Sequence, residues 1–184
     1  GYHHFNGGIK RAPGFTDWWG QIGRFDAYYE YAVSENGSVR GFGGSPSDYL
    51  TTQINQRAVE LIEDSAGKAK PLFAWISHLA PHGTPRKEHL DPHCIRGPAI
   101  RPGDLDATPG GGPPLRDRPV PHGPAYNEDD VSDKPRFIRK LPPISEERQE
   151  VIERRIQCRW AALQEVDRGV ERIFEALEET GQLK

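Results

Sequence analysis

Histidines are the residues of this chain best placed to do chemistry, and SHLAPHGTP (residues 77–85) is where they concentrate. His78 and His82 are four apart, as are His89 and His93. On a helix that spacing puts two imidazoles on one face, where they can ligate zinc. Pro81, Pro85 and Pro92 disfavour such a helix, and no carboxylate or thiolate pattern completes the ligand set, so zinc is the weaker reading. His82 keeps its interest through position. The apolar run Leu72–Ile76 reads as a buried strand, and in open α/β sheets ligands bind beyond the carboxyl ends of strands. An imidazole held there between prolines can hydrogen-bond an anionic group or move a proton. The competing reading makes His82 the polar start of a loop.

Other chemistry is thinner. Cys94 in HCIRGP and Cys158 in QCRWA have no neighbours that would activate a thiol, and Cys158 reads as a packing residue. No glycine-rich loop followed by Lys and Ser or Thr is present to cradle a phosphate. Lys134, Arg136, Arg139, Lys140, Arg148, Arg154, Arg155 and Arg159 form a basic run that would suit a sulfated or phosphorylated polymer. Glu146, Glu147, Glu150 and Glu153 lie among them, which favours a solvated, charge-balanced face. Asn36-Gly37-Ser38 matches the N-glycosylation pattern, but a tight turn already accounts for Asn-Gly.

The elements that must position these residues read in order. The first 27 residues are rich in glycine and aromatics (PGFTDWWG) and read as irregular structure. YYEYAVSENGSVRGFG reads as a β-hairpin, because Asn36-Gly37 supplies the two positive-φ positions of a type I′ turn. A helix is expected from about Asp48, a candidate cap, to Ala66, with Ile54, Ala58, Leu61 and Ile62 on one face and Gly67 ending it. LFAWIS then reads as a strand. Fourteen of the 17 prolines lie between Pro81 and Pro143, so residues 81–143 are expected to form a long loop wrapping a surface, anchored by YNEDDVSDKP through Tyr126 and Asx-type turns. The last segment is the clearest helix. Ser145 is a candidate N-cap, Ile152, Ile156, Trp160, Leu163, Val166, Val170, Ile173 and Leu177 recur every three or four residues, and Gly181 is a natural stop. Gly169 inside it costs about 1 kcal/mol relative to Ala unless close packing offsets it.

Composition bounds the partners. With 24 basic and 27 acidic residues the net charge is −3, which gives no electrostatic case for binding nucleic acid or a membrane surface. No apolar run approaches the ~18 residues needed to cross a bilayer. Two cysteines do not make a disulfide scaffold and leave the compartment open. The chain has no methionine, even at position 1, and reads as processed or as a piece of something longer. Hairpin, helix, strand, loop and helix together suggest an α/β sandwich with much of its sheet missing.

The ordered series PGFTDWWG, YYEYAVSENGSVRGFG, DYLTTQINQRAVELIED, PLFAWISHLAPHGTP, YNEDDVSDKPRFIRKLPPIS and RRIQCRWAALQEVDRGVERIFEALEETGQL resembles the sulfatase family. The similarity is to its branch of arylsulfatases and N-acetylglucosamine-6-sulfatases, and it is weakest over residues 86–124. The resemblance implies a partial alkaline-phosphatase-like α/β sandwich, a mixed sheet flanked by helices. On this reading residues 1–184 are an internal part of one catalytic domain that hydrolyses sulfate esters. It implies a formylglycine nucleophile made from cysteine in a C-x-P-S-R-type motif, and a Ca2+ ion held by acidic and Asp-Asn pairs. It implies a sulfated small molecule or glycan as substrate, and a secreted, periplasmic or lysosomal-type compartment. His82, in APHGTP, falls at the family's sulfate-contacting histidine. Neither cysteine has proline two residues after it, and the N-terminal acidic pair is absent. The isolated chain is therefore expected to be inactive. Two rival readings are a phosphodiesterase or phosphonate hydrolase of the same superfold, and a non-catalytic polyanion-binding protein.

Overall fold

The structure, a computed structural model, describes residues 10–23, 26–84, 91–94 and 97–183. A three-stranded antiparallel sheet in the order β1 (Trp19–Ile22), β2 (Ala32–Glu35), β3 (Ser38–Gly41) opens it. The β2–β3 turn is the expected one. Asn36 and Gly37 have φ of 51° and 100°, so the turn's twist matches that of the strands and sets Glu35 opposite Ser38 and Ala32 opposite Gly41. Asn36 also explains the strand that the sequence reading missed. Its side-chain oxygen accepts from Trp18 N at 2.9 Å, and Trp18 O accepts from Asn36 N. The glycine-flanked WGQI segment is thereby drawn alongside β2, where Trp19 pairs with Glu35.

Helix α1 (Leu50–Ser65) follows, then α2 (Arg136–Arg139) and the long α3 (Glu146–Glu179). Tyr49, not Asp48, is the N-cap of α1; Asp48 ends a preceding 3-10 turn, where its carboxylate accepts from Ser45 N. Ser145 is the N-cap of α3, with Glu146 and Glu147 in its first turn, where carboxylates meet the positive end of the helix dipole. Helices α1 and α3 run in the same direction: Thr52 and Asn55 meet Glu165, and Ile62 and Ser65 meet Gln182. Gly169 is where they come closest. A Cβ there would lie 2.1 Å from the Asn55 amide, so only glycine lets Asn55 reach Glu165 O at 2.7 Å.

Two expectations need correction. LFAWIS is not a strand. Residues 71–79 have no regular secondary structure and pair with no strand among the described residues, and Phe73 and Trp75 are 80% and 76% exposed. Apolar composition supplies the tendency to extend, but a ladder needs a neighbour. The proline-rich loop does not merely wrap a surface. Ile100, Leu105 and Leu115 are buried with Cys94, Cys158, Ala161 and Ala162 as a core cluster against α3. Short 3-10 turns at Asp104–Asp106 and Leu115–Asp117 fold it back so that each buries one leucine, worth about 2 kcal/mol apiece.

Candidate functional site

His82 sits at the tip of a tight turn. Its N–H donates to Leu79 O at 2.9 Å, the Ala80–Pro81 peptide is cis, and Thr84 N donates to Gly97 O at 3.0 Å. The His82 carbonyl accepts from the Tyr28 hydroxyl at 2.7 Å. Tyr28 is buried and stacked on Tyr49, with ring centroids 5.6 Å apart, and the Tyr49 hydroxyl donates in turn to Ala99 O. Burial pushes both phenols above the usual tyrosine range, so both remain donors. The imidazole itself is exposed. Its Nδ1 lies 2.6 Å from Gly83 O. A carbonyl only accepts, so Nδ1 carries the proton. Nε2 has no hydrogen-bond partner among the described residues.

The other histidines do different work. Asn55 donates through Nδ2 to a backbone carbonyl, which fixes the amide and turns Oδ1 towards His78 Nε2 at 2.7 Å. His78 is therefore a donor, and burial, partly opposed by Glu165, holds its pKa below the ordinary value. The same logic holds at His93: Gln157 donates to Arg118 O, and its Oε1 accepts from His93 Nε2 at 2.7 Å. Both rings fasten loops to helices. The zinc pairing of His78 with His82 is not made, and His89 lies outside the described residues. Among the described residues no group of three or more His, Cys, Asp or Glu is arranged to hold a metal ion. The described residues form no calcium site, and the resemblance implies that the calcium ligands lie outside this chain.

Cys94 and Cys158 form a disulfide, with Cα atoms 5.6 Å apart and both side chains fully buried. Cys158 is thus more than a packing residue. Neither sulfur is a free thiol, so neither serves as a nucleophile or as a precursor of one.

Beside this bridge lies a buried charge cluster that the sequence reading overlooked. Glu165 is 0% exposed and accepts from Arg101 at 2.5 Å, Thr52 at 2.9 Å, and Arg168 and Arg172 at 3.1 Å each. Burial pushes its carboxyl up, but hydrogen bonds from Arg101, Thr52 and Arg168 and the Arg101 charge outweigh that and hold it below the usual range. Arg168 also binds Asp104 at 2.8 Å, whose carboxyl burial raises despite that partner. A visible signal existed: Glu165 interrupts the buried face formed by Cys158, Ala161, Ala162 and Gly169. Within the basic run, Lys134 and Arg154 have acidic partners. Lys134 bridges Glu128 and Asp133 at 2.8 Å each, and Arg154 faces Glu150. Tyr126 stacks on His122, but the anchor of its segment is Asn127, which both donates to Ile144 O and accepts from Ile144 N.

Helices α1 and α3 and the small antiparallel sheet make a mixed α/β protein, and the family it matches is of the alkaline-phosphatase-like class. The pattern of the family described as Sulfatase matches residues 2–184, and the chain belongs to that family. It is 30% identical over 167 residues to an arylsulfatase of Volvox carteri, covering 85% of this chain and 24% of that protein. It is 26% identical to an extracellular sulfatase SULF-1 homolog of Drosophila melanogaster, covering 93% of this chain and 14% of that one. An N-acetylglucosamine-6-sulfatase of Homo sapiens is 23% identical over 96% of this chain and 28% of its own length. The chain thus spans less than a third of each of these relatives. No solved structure gives a significant match. No helix among the described residues is long and apolar enough to cross a membrane.

Proposed function

We propose that this chain is an internal part of a sulfatase catalytic domain, and that His82, with both ring nitrogens protonated, donates from Nε2 to the sulfate group of a sulfate ester. The observation that carries the reading is the His82 turn: an exposed ring with its inner nitrogen engaged and its outer nitrogen free. Family membership supplies the reaction class, hydrolysis of a sulfate ester in a small molecule or glycan. The nucleophile comes from outside these 184 residues, since both cysteines are consumed in a disulfide. Calcium, when bound, would polarise the sulfate, and its ligands also lie elsewhere. The exposed Leu72–Ile76 segment supports the same reading, because an apolar stretch with no strand beside it among the described residues suits a sheet completed by other parts of the domain. A buried disulfide fits maturation in an oxidising compartment.

The test is steady-state hydrolysis of an aryl sulfate by the full-length protein. His82→Ala is expected to lower turnover about a hundredfold, as loss of one positioned donor does, with the thermal midpoint little changed. Unchanged turnover removes His82 from the site. The 184-residue chain alone is expected to show no turnover, and substantial activity from it would defeat the fragment reading.

A further inference from the structure

We infer that α2 and the residue after it form a binding strip for a sulfated polysaccharide, through Arg136, Arg139 and Lys140. All three are exposed, and their side chains have no partner among the described residues. Helical spacing accounts for this. At about 100° per residue, Arg139 and Lys140 lie within about 60° of Arg136, and Ile138 falls on the opposite side. Ile138 is the half-buried residue of the turn. Phe137 and Leu141, one turn apart on the neighbouring side, are 69% and 62% exposed and can cover the C–H faces of sugar rings. Guanidinium groups pair with two oxygens of one oxyanion and stay charged at any physiological pH. The strip is tied down at both ends. Lys134 bridges Glu128 and Asp133 before it, and Asn127 and Gln149 hold Ile144 after it. Its flanks decide the shape of the ligand. Asp129, Asp130 and Asp133 precede α2, and Glu146 and Glu147 follow it. A broad anionic surface such as a bilayer would meet both acidic flanks, whereas a narrow linear polyanion can follow the cations alone. The buried disulfide fits an oxidising compartment, where nucleic acid is not the ambient polyanion. The choice of sulfate as the charged group rests on the sulfate-ester chemistry proposed above.

The test is calorimetric titration of the full-length protein with a heparin octasaccharide, repeated over a range of salt concentrations. Binding that weakens steeply with salt is expected, and no binding overturns the inference. Changing Arg136, Arg139 and Lys140 together to Gln is expected to raise Kd about tenfold and to lower the slope of log Kd against log salt by about two. Lys10, Lys68 and Lys70 are exposed cations outside α2. Changing them together to Gln removes the same charge and is expected to raise Kd by less than about twofold. Equal losses from the two triple variants would mean that net charge, not the strip, governs binding, and would overturn the inference. Desulfated heparin is expected not to bind. Undiminished binding of it, or equally tight binding of single-stranded oligonucleotide or phosphatidylserine vesicles, overturns the assignment to a sulfated polysaccharide. His82→Ala separates this strip from the histidine turn. Heparin binding is expected to survive that change, and a loss as large as that of the α2 variant would place the oligosaccharide at His82 and overturn the inference. Unchanged aryl-sulfate turnover in His82→Ala defeats the histidine's role without touching heparin binding. A failure of heparin binding leaves turnover as it is, so the two readings fail separately.

Discussion

Two stretches of this molecule reverse what their compositions suggest. Leu72–Ile76 is the most apolar run near the site, and it lies on the surface with Phe73 and Trp75 about four-fifths exposed. Residues 97–118 are dense in proline and glycine, and there Pro98, Ala99, Ile100, Leu105 and Leu115 are buried. The difference lies in partners. The proline-rich stretch has α3 beside it, a disulfide at its entrance and Arg101 and Asp104 in the charge cluster of Glu165. The apolar stretch has no strand to pair with among the described residues. Burial follows from what an element can lean on, and composition sets only what it would gain.

The contrast can be broken most forcefully at the bridge. Cys94 and Cys158 are 64 residues apart, and losing a closure of that length is expected to cost about 4 kcal/mol. Urea unfolding of Cys158→Ser, or of the reduced chain, measures it, and a cost below about 1 kcal/mol would mean that packing alone holds the loop. Glu165→Gln comes next. It leaves Arg101, Arg168 and Arg172 around a neutral amide, and about 3 kcal/mol is expected from breaking a buried ion cluster, read as a lower urea midpoint. Gly169→Ala follows at about 2 kcal/mol destabilising. The gain of about 1 kcal/mol in helix propensity is outweighed by forcing Asn55 away from α3, and a stabilised variant would show that the helices can separate there freely.

Acid should act on the same region. His78 has a depressed pKa, so its contribution is complete above the ordinary histidine value of about 6.5 and is lost as pH falls through the folded value. Glu165, also depressed, adds a second loss below the ordinary glutamate range. Asp104, raised by burial, opposes that second loss by taking up its proton more readily when folded. Unfolding free energies measured from pH 8 down to pH 4 are expected to decline from about pH 6.5, and His78→Gln is expected to remove the first decline. The smallest effect belongs to the exposed stretch. Replacing Phe73 and Trp75 by serine in the 184-residue chain should change stability by no more than about 0.5 kcal/mol, and should reduce binding of an apolar dye.

Much of the fold was legible because it is local. Asn36-Gly37 dictated the hairpin, and the three-and-four spacing from Ile152 to Leu177 dictated α3. What escaped depends on groups far apart in sequence. β1 needs Asn36 to hold Trp18, the bridge needs two cysteines 64 residues apart, and the core of the loop needs the face of α3. At the candidate site the sequence singled out His82 from its place after an expected strand that does not form, and not Tyr28, whose only mark was membership of an aromatic-rich segment. Gly169 was readable as a cost, and its compensation became visible only with Asn55 beside it.

The bridge between Cys94 and Cys158 also changes the connectivity of the molecule. It turns residues 94–158 into a closed covalent ring, and the exposed glycines Gly110 and Gly111 lie within that ring. A single backbone cut there opens the ring without dividing the molecule, since both halves stay joined through sulfur. Cleavage at this exposed stretch therefore loses no part of the protein until the bridge is reduced.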